Sequence, residues 1–259
     1  MRVLPPACHV SCVAITQIQS VNLFVSESDA VSRFYEDGLA LPLARRAPGL
    51  TAFYTGDVQL NLVKPAGSDA ALVGRSTGVS LRMRGDGELP QVLRRLESKG
   101  FSASEKDMVR WRNGARAEVK DPDGNRITLV EDPDWRSDLT FFEGPSSVCV
   151  RVKALRPALE FYLGMLELTM DEQPDPSVAI LMPGGTQLVL TERGQAFPAI
   201  PVEGETGICC TVERPSGTFD ELQGRGVRFA QMPQLFGKTW VASIRDPSGN
   251  VITLLGNED

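Results

Sequence analysis

Side chains able to do acid–base, nucleophilic or metal chemistry are few and scattered in this 259-residue chain. The one histidine, His9, stands between Cys8 and Cys12. That trio is half of a metal site, but no second pair of donors accompanies it, and a frayed terminus is the commoner explanation. One terminal His leaves no Ser-His-Asp or Cys-His arrangement, and neither a Walker loop nor a dinucleotide fingerprint is present. Five cysteines, at 8, 12, 149, 209 and 210, make an odd count without framework spacing, as expected of thiols kept reduced. Glu118 and Glu213 fall on predicted strands and would act as general bases only if desolvated; solvent-facing strand carboxylates are more common.

The elements that must position these groups come in repeats. Phe34-Tyr35 with Gly38-Leu39 recurs as Phe161-Tyr162 with Gly164 and Leu166, an offset of 127, and Gln59-Leu60-Asn61-Leu62 recurs as Gln187-Leu188-Val189-Leu190, an offset of 128. Thr77-Gly78-Val79 returns as Thr206-Gly207-Ile208, and DPDGNRITLV at 121–130 returns as DPSGNVITLL at 246–255. Four matches in one order at nearly one offset indicate a tandem duplication, with domains at 17–133 and 145–257 joined by the acidic stretch 132–144. Each half divides again. A strand over 20–25 leads into a helix through Ala30, Val31, Phe34 and Tyr35, and short strands follow near 41–44, 51–55 and 58–63. A second unit starts at 79–83, carries a helix over 89–98 and closes at 127–130 after a DPDG turn of type I character. The second half repeats the scheme, with helices near 155–163 and 218–223.

Composition narrows the function classes. With 27 Lys plus Arg against 33 Asp plus Glu and no long basic block, nucleic acid is not an expected partner. Apolar stretches fall short of the roughly 18 residues a membrane helix needs, and the opening MRVLPPACHVSC lacks the continuous apolar core of a secretory signal, so a cytoplasmic location is expected. The excess of Arg over Lys hints at a GC-rich bacterial origin.

Four βαβββ units, the FY-x-x-x-L helix ends and the closing DPxGNxITL strands together resemble the vicinal oxygen chelate superfamily, the fold of glyoxalases, bleomycin-resistance proteins and extradiol dioxygenases, over nearly the whole chain after residue 17. The resemblance implies an α+β protein of two tandem incomplete-barrel domains, each with two units around a cavity. It also places metal-ligand positions at Ser20, Gly78, Ser147 and Gly207 on first strands and at Asn61, Thr128, Val189 and Thr253 on last strands. None of the eight is a strong ligand for a divalent ion, and Glu131 and Glu258 are expected past the strand ends, so neither a metal nor another cofactor is expected.

Alternation along strands then selects residues sharing a face with those positions. In the first half these are Ser20, Asn22, Phe24, Gln59, Asn61, Ser80, Arg82, Arg84, Arg126 and Thr128, with Phe53, Tyr54 and Trp111 as aromatic walls. In the second they are Ser147, Cys149, Arg151, Gln187, Val189, Cys209, Thr211, Thr253 and Leu255, with Trp240 and Phe236 as walls. Cys149 and Cys209 occupy equivalent positions, as small apolar fillers or as a pair able to approach each other. Arginine, neutral hydrogen-bonding groups and aromatic surface suit a flat ligand bearing a carboxylate, phenolate or carbonyl. Two functions follow. One is metal-independent sequestration of an aromatic or polyketide-like metabolite or antibiotic. The other is a cofactor-independent cyclase or isomerase of secondary metabolism in which Arg82, Glu118 and Tyr54 carry catalysis, placed in the first half. A metal-dependent dioxygenase or lyase ranks third, and the oligomeric state stays open.

Overall fold

A computed structural model describes residues 13, 15–26, 28–75, 78–84, 87–111, 114–132, 142–192 and 203–258. The Cys8, His9 and Cys12 trio and most of the linker lie outside them. Four βαβββ modules follow one another. The first has β1 (Ile15–Phe24), α1 (Ser28–Arg33), β2 (Leu43–Ala47), β3 (Leu50–Thr55) and β4 (Val58–Val63). The second has β5 (Gly78–Arg84), α2 (Leu89–Ser98), β6 (Val109–Trp111), β7 (Gly114–Lys120) and β8 (Arg126–Asp132). The third has β9 (Phe142–Arg151), α3 (Leu155–Leu159), β10 (Met170–Asp175), β11 (Val178–Leu181) and β12 (Gln187–Thr191). The fourth has β13 (Gly204–Val212), α4 (Pro215–Gly224), β14 (Arg228–Phe236), β15 (Thr239–Arg245) and β16 (Asn250–Asn257). Among the described residues no helix is long and apolar enough to cross a membrane.

The modules combine into two eight-stranded sheets, and the partners are not those expected from chain order. The first sheet runs β14-β15-β16-β13-β1-β4-β3-β2 and joins modules one and four; the second runs β10-β11-β12-β9-β5-β8-β7-β6 and joins modules two and three. The seams are antiparallel pairs, β1 with β13 and β5 with β9. Residues 20–61 therefore do not share a face with residues 80–128, which corrects the grouping above. Cys149 and Cys209 lie in different sheets and form no pair.

Each half of the chain is nevertheless bound together on the helix side, by the recurrent motifs themselves. The helix of module one tightens into a π-turn over Phe34–Gly38, closed by Leu39 N donating to Phe34 O, and module three repeats this over Glu160–Met165 with Leu166 N donating to Phe161 O. Buried Tyr35 donates its hydroxyl to Asp121 Oδ2 at 3.0 Å, and Tyr162 donates to Asp246 Oδ2 at 3.1 Å. In the DPDG turn Asp121 Oδ1 accepts from Asp123 N and Asn125 N, while Asn125 Nδ2 reaches back to Phe24 O. Asp246 and Asn250 repeat the arrangement, with Asn250 Nδ2 donating to Arg151 O. Arg95 of α2 donates to the carbonyls of Gly38 and Leu39, and Arg225 to those of Gly164 and Met165, satisfying acceptors that a helix end leaves free. The motifs that reveal the duplication thus staple each half.

Helix α2 covers its predicted span because Leu89, Val92, Leu93 and Leu96 fall on one stripe, Pro90 sits in the first turn, and Gly100 at φ +83° turns the chain away. Glu131 lies inside β8, not past its end as expected. It points to the core and accepts from Glu88 N at 2.7 Å, capping the start of α2. Along every central strand alternate residues enter one shared core, among them Val21, Leu23, Leu60, Val79, Leu81, Leu129, Val148 and Leu254. The opposite, open face of each sheet carries most of the candidate site residues.

Candidate functional site

Register places one set of side-chain types across the middle of both open faces. In the first sheet, strand pairing aligns Gln59 with Ser20, Ser20 with Cys209, Cys209 with Thr253 and Thr253 with Ser243. In the second it aligns Gln187 with Ser147, Ser147 with Ser80, Ser80 with Thr128 and Thr128 with Glu118. Gln-Ser-Cys-Thr faces one way and Gln-Ser-Ser-Thr the other.

The surroundings of these rows differ. In the first sheet Ser20, Cys209 and Ser243 are buried, at 6%, 5% and 8% exposure. Asn61 Nδ2 donates to Asn22 Oδ1 at 2.9 Å, Asn22 Nδ2 reaches Cys209 Sγ at 3.5 Å, and the Ser243 and Thr253 hydroxyls share a bond at 3.3 Å. Asn61 Oδ1 and the Thr211 hydroxyl are buried there without a partner among the described residues. The row is largely filled by its own side chains. In the second sheet the row opens onto a cavity of about 450 Å³ lined by Ser80, Arg82, Val109, Arg116, Thr128, Val130, Ser146, Ser147 and Gln187. Arg82 and Arg116 both flank Val130 through the strand register, so the two arginines line the same end of the cavity, Arg116 as an exposed residue. Arg82 Nε lies 3.8 Å from Asp132 Oδ2.

Of the residues singled out by sequence, Ser80, Arg82 and Thr128 line this cavity. Ser20, Asn22, Phe24, Gln59, Asn61 and Thr211 belong to the first sheet instead. Cys149 and Arg151 are on the second sheet, farther along β9 than Ser147 and outside the cavity lining. Trp240 faces away from both open faces: it alternates with buried Ala242 and Ile244 and meets Phe219 of α4 edge-on at 6.4 Å. Phe53 is likewise a core residue, against Tyr35. Trp111 lies on β6 two residues from Val109. Glu118 shares the open face of the second sheet but pairs with Arg126, outside the cavity lining, and Tyr54 is exposed on the first sheet. Arg82, Glu118 and Tyr54 therefore do not converge. Sequence reasoning missed Arg116, Val109, Val130 and Ser146. Gly-Ala-Arg-Ala-Glu-Val-Lys over β7 carried the signal, since small and apolar residues there alternate with Arg116, Glu118 and Lys120.

The donor chemistry does not suit a divalent ion. Neither row offers an imidazole, the carboxylate that ends the second row, Glu118, is paired with Arg126, Gly78 and Gly207 carry no side chain, and burial pushes the Cys149 thiol up to about 12 and raises that of Cys209. Among the described residues no group of three or more His, Cys, Asp or Glu could hold a metal. Both thiols are buried, and Cys209 Sγ accepts from Asn22 Nδ2.

Against known proteins, a family model described as the Glyoxalase/Bleomycin resistance protein/Dioxygenase superfamily matches residues 17–129 and 144–254. No curated protein sequence gives a significant match. Similar solved structures include a Bacillus subtilis protein assigned as a dioxygenase (12% identity, TM-score 0.67, 95% of this chain and 86% of that one). They also include glyoxalase I from Zea mays (19% identity, TM-score 0.62, 93% and 92%). TnmS3, an antibiotic-binding protein from Streptomyces sp. CB03234, aligns with one half only (23% identity, TM-score 0.38, 44% and 94%). At these identities the likeness concerns the fold.

Proposed function

This chain belongs to the glyoxalase, bleomycin resistance protein and dioxygenase superfamily, and on that premise we propose that it is a metal-independent small-molecule-binding protein whose working cavity lies on the second sheet. The observation that carries this reading is the contrast between two rows of the same residue types, one with its middle residues Ser20 and Cys209 buried and the other opening onto about 450 Å³. That volume accommodates a drug-sized molecule. Ser80, Thr128, Ser147 and Gln187 offer neutral donors and acceptors, Val109 and Val130 an apolar wall, and the arginines a cationic end. A flat aromatic or polyketide-like metabolite or antibiotic fits that mixture. Sequestration is favoured over a cyclase or isomerase because the lining lacks a carboxylate or phenol to move a proton: Glu118 is tied to Arg126, and Asp121 and Asp246 serve the tyrosine staples.

Both halves supply lining residues, so the cavity is not confined to the first half. The test is incubation of the protein with a panel of aromatic and polyketide acids, followed by mass spectrometry of bound and released species and elemental analysis. Unchanged ligand at one per chain, insensitive to chelator, is the expected result. A chemically altered product moves the assignment to the cyclase or isomerase, and about one tightly bound divalent metal per chain overturns metal independence.

A further inference from the structure

We propose that Arg116, on the outer strand β7, is the residue that makes this cavity select a ligand carrying one negative charge, with Arg82 and Asp132 held as a neutral pair beside it. The inference rests on the reading of the second sheet as the ligand site and adds the charge class of the ligand and the group that reads it.

Arg82 pairs with Val130 across β5 and β8, and Arg116 pairs with Val130 across β8 and β7, so the two arginines stand in one row on one face, about 9.6 Å apart at the backbone by two interstrand spacings. Both line the cavity. Their electrostatic situations differ. Arg82 has Asp132 at 3.8 Å, with both side chains about one-third exposed. Arg116 has no carboxylate within ion-pair distance among the described residues, and the neighbouring open-face carboxylate, Glu118, is engaged by Arg126. Among the residues lining the cavity and the carboxylate paired with them, two guanidinium groups and one carboxylate leave one net positive charge. A ligand whose anionic group reaches Arg116 while its ring rests on Val109 and Val130 neutralises that charge without displacing Asp132. A neutral ligand leaves it unmatched, and a dianion has no second unpaired cation to meet. The corresponding positions of the first sheet, Thr211 and Val241, carry no charge, so this feature belongs to one face alone.

Calorimetric titration with 2-naphthoate, 2-naphthamide and 2,6-naphthalenedicarboxylate separates the possibilities. The expected order is naphthoate tighter than naphthamide by about tenfold to a hundredfold, the range of one charge-assisted hydrogen bond, with the dicarboxylate no tighter than naphthoate. Arg116→Gln should abolish the preference for naphthoate over naphthamide, and Arg228→Gln, which removes the same charge from an exposed position on the first sheet, should keep it. Raising ionic strength should weaken naphthoate binding and leave naphthamide binding unchanged. Equal affinity for naphthoate and naphthamide, an unaltered preference in Arg116→Gln, or a dicarboxylate tenfold tighter than naphthoate overturns the assignment of charge to Arg116 while leaving the cavity in place. Absence of binding by all three at millimolar concentration overturns the ligand-site reading itself.

Discussion

The two open faces are built on the same plan and have opposite contents. Gln59-Ser20-Cys209-Thr253 and Gln187-Ser147-Ser80-Thr128 occupy corresponding strands in the same order. One step outward, the second sheet has Arg82 and Arg116 where the first has Thr211 and Val241. The first face closes over Asn22 and Asn61, which bond to each other; at the same places the second has Cys149 and Val189, which cannot form such a bridge. Core faces and tyrosine staples are repeated nearly unchanged. The duplication preserved the parts that fold, while the open faces diverged, one into filled structure and one into a cavity. Because each sheet takes one module from each half, neither half holds either face alone.

The largest effect is expected at the seam of the filled face. Gly207 has φ +74°, and a Cβ there would meet Asn22 O at 2.1 Å across the β1–β13 seam. Gly207→Ala combines left-handed strain with a backbone clash and should cost roughly 2–5 kcal/mol, measured by urea unfolding. Naphthoate titration below the unfolding transition should still report an intact second-sheet cavity. Unchanged stability would mean that the first seam is looser than described.

Next in size is the shared staple. Tyr35→Phe and Tyr162→Phe each remove a buried hydrogen bond to a carboxylate and should each cost about 1.5–3 kcal/mol, equally and additively. A marked inequality in unfolding free energy would show that the two halves are not held alike. Burial first, then the neighbouring aspartate, pushes both phenols well above the ordinary tyrosine range. The folded state therefore keeps two protons that the unfolded state releases, so stability present below the ordinary tyrosine pKa falls as pH rises above it. Denaturation midpoints from pH 9 upward should decline in the wild type and decline less in each Phe variant.

The smallest effect should come from Asn61→Ala, which frees Asn22 on the filled face at a cost of about 1 kcal/mol and leaves naphthoate affinity unaltered. A loss of affinity in that variant would place ligand on the wrong sheet.

Much of this was legible before the structure. The FY and DPxGN motifs gave the duplication and four modules, and Leu89, Val92, Leu93 and Leu96 placed α2 to the residue. Their linkage through Tyr35 and Asp121 was not legible, since a contact across 86 residues leaves no local pattern. Nor was the pairing of module one with module four. The first strands of all four modules offer the same backbone donors and acceptors at their edges, and sequence alone does not rank those partners. Trp240 was misplaced although its own strand held the answer, because Trp240, Ala242 and Ile244 alternate as one apolar face. Arg116 escaped for a different reason: it is two strands from the centre, where a search outward from the ligand positions does not reach.

The position of a bound ligand decides between the two faces. A crystal structure of the protein with 2-naphthoate is predicted to show the naphthalene ring against Val109 and Val130, the carboxylate at Arg116, and Ser80, Thr128 and Ser147 beneath it, with the Ser20, Cys209 and Thr253 row unchanged. Ligand over that first-sheet row, with the second-sheet cavity left without it, would contradict the account.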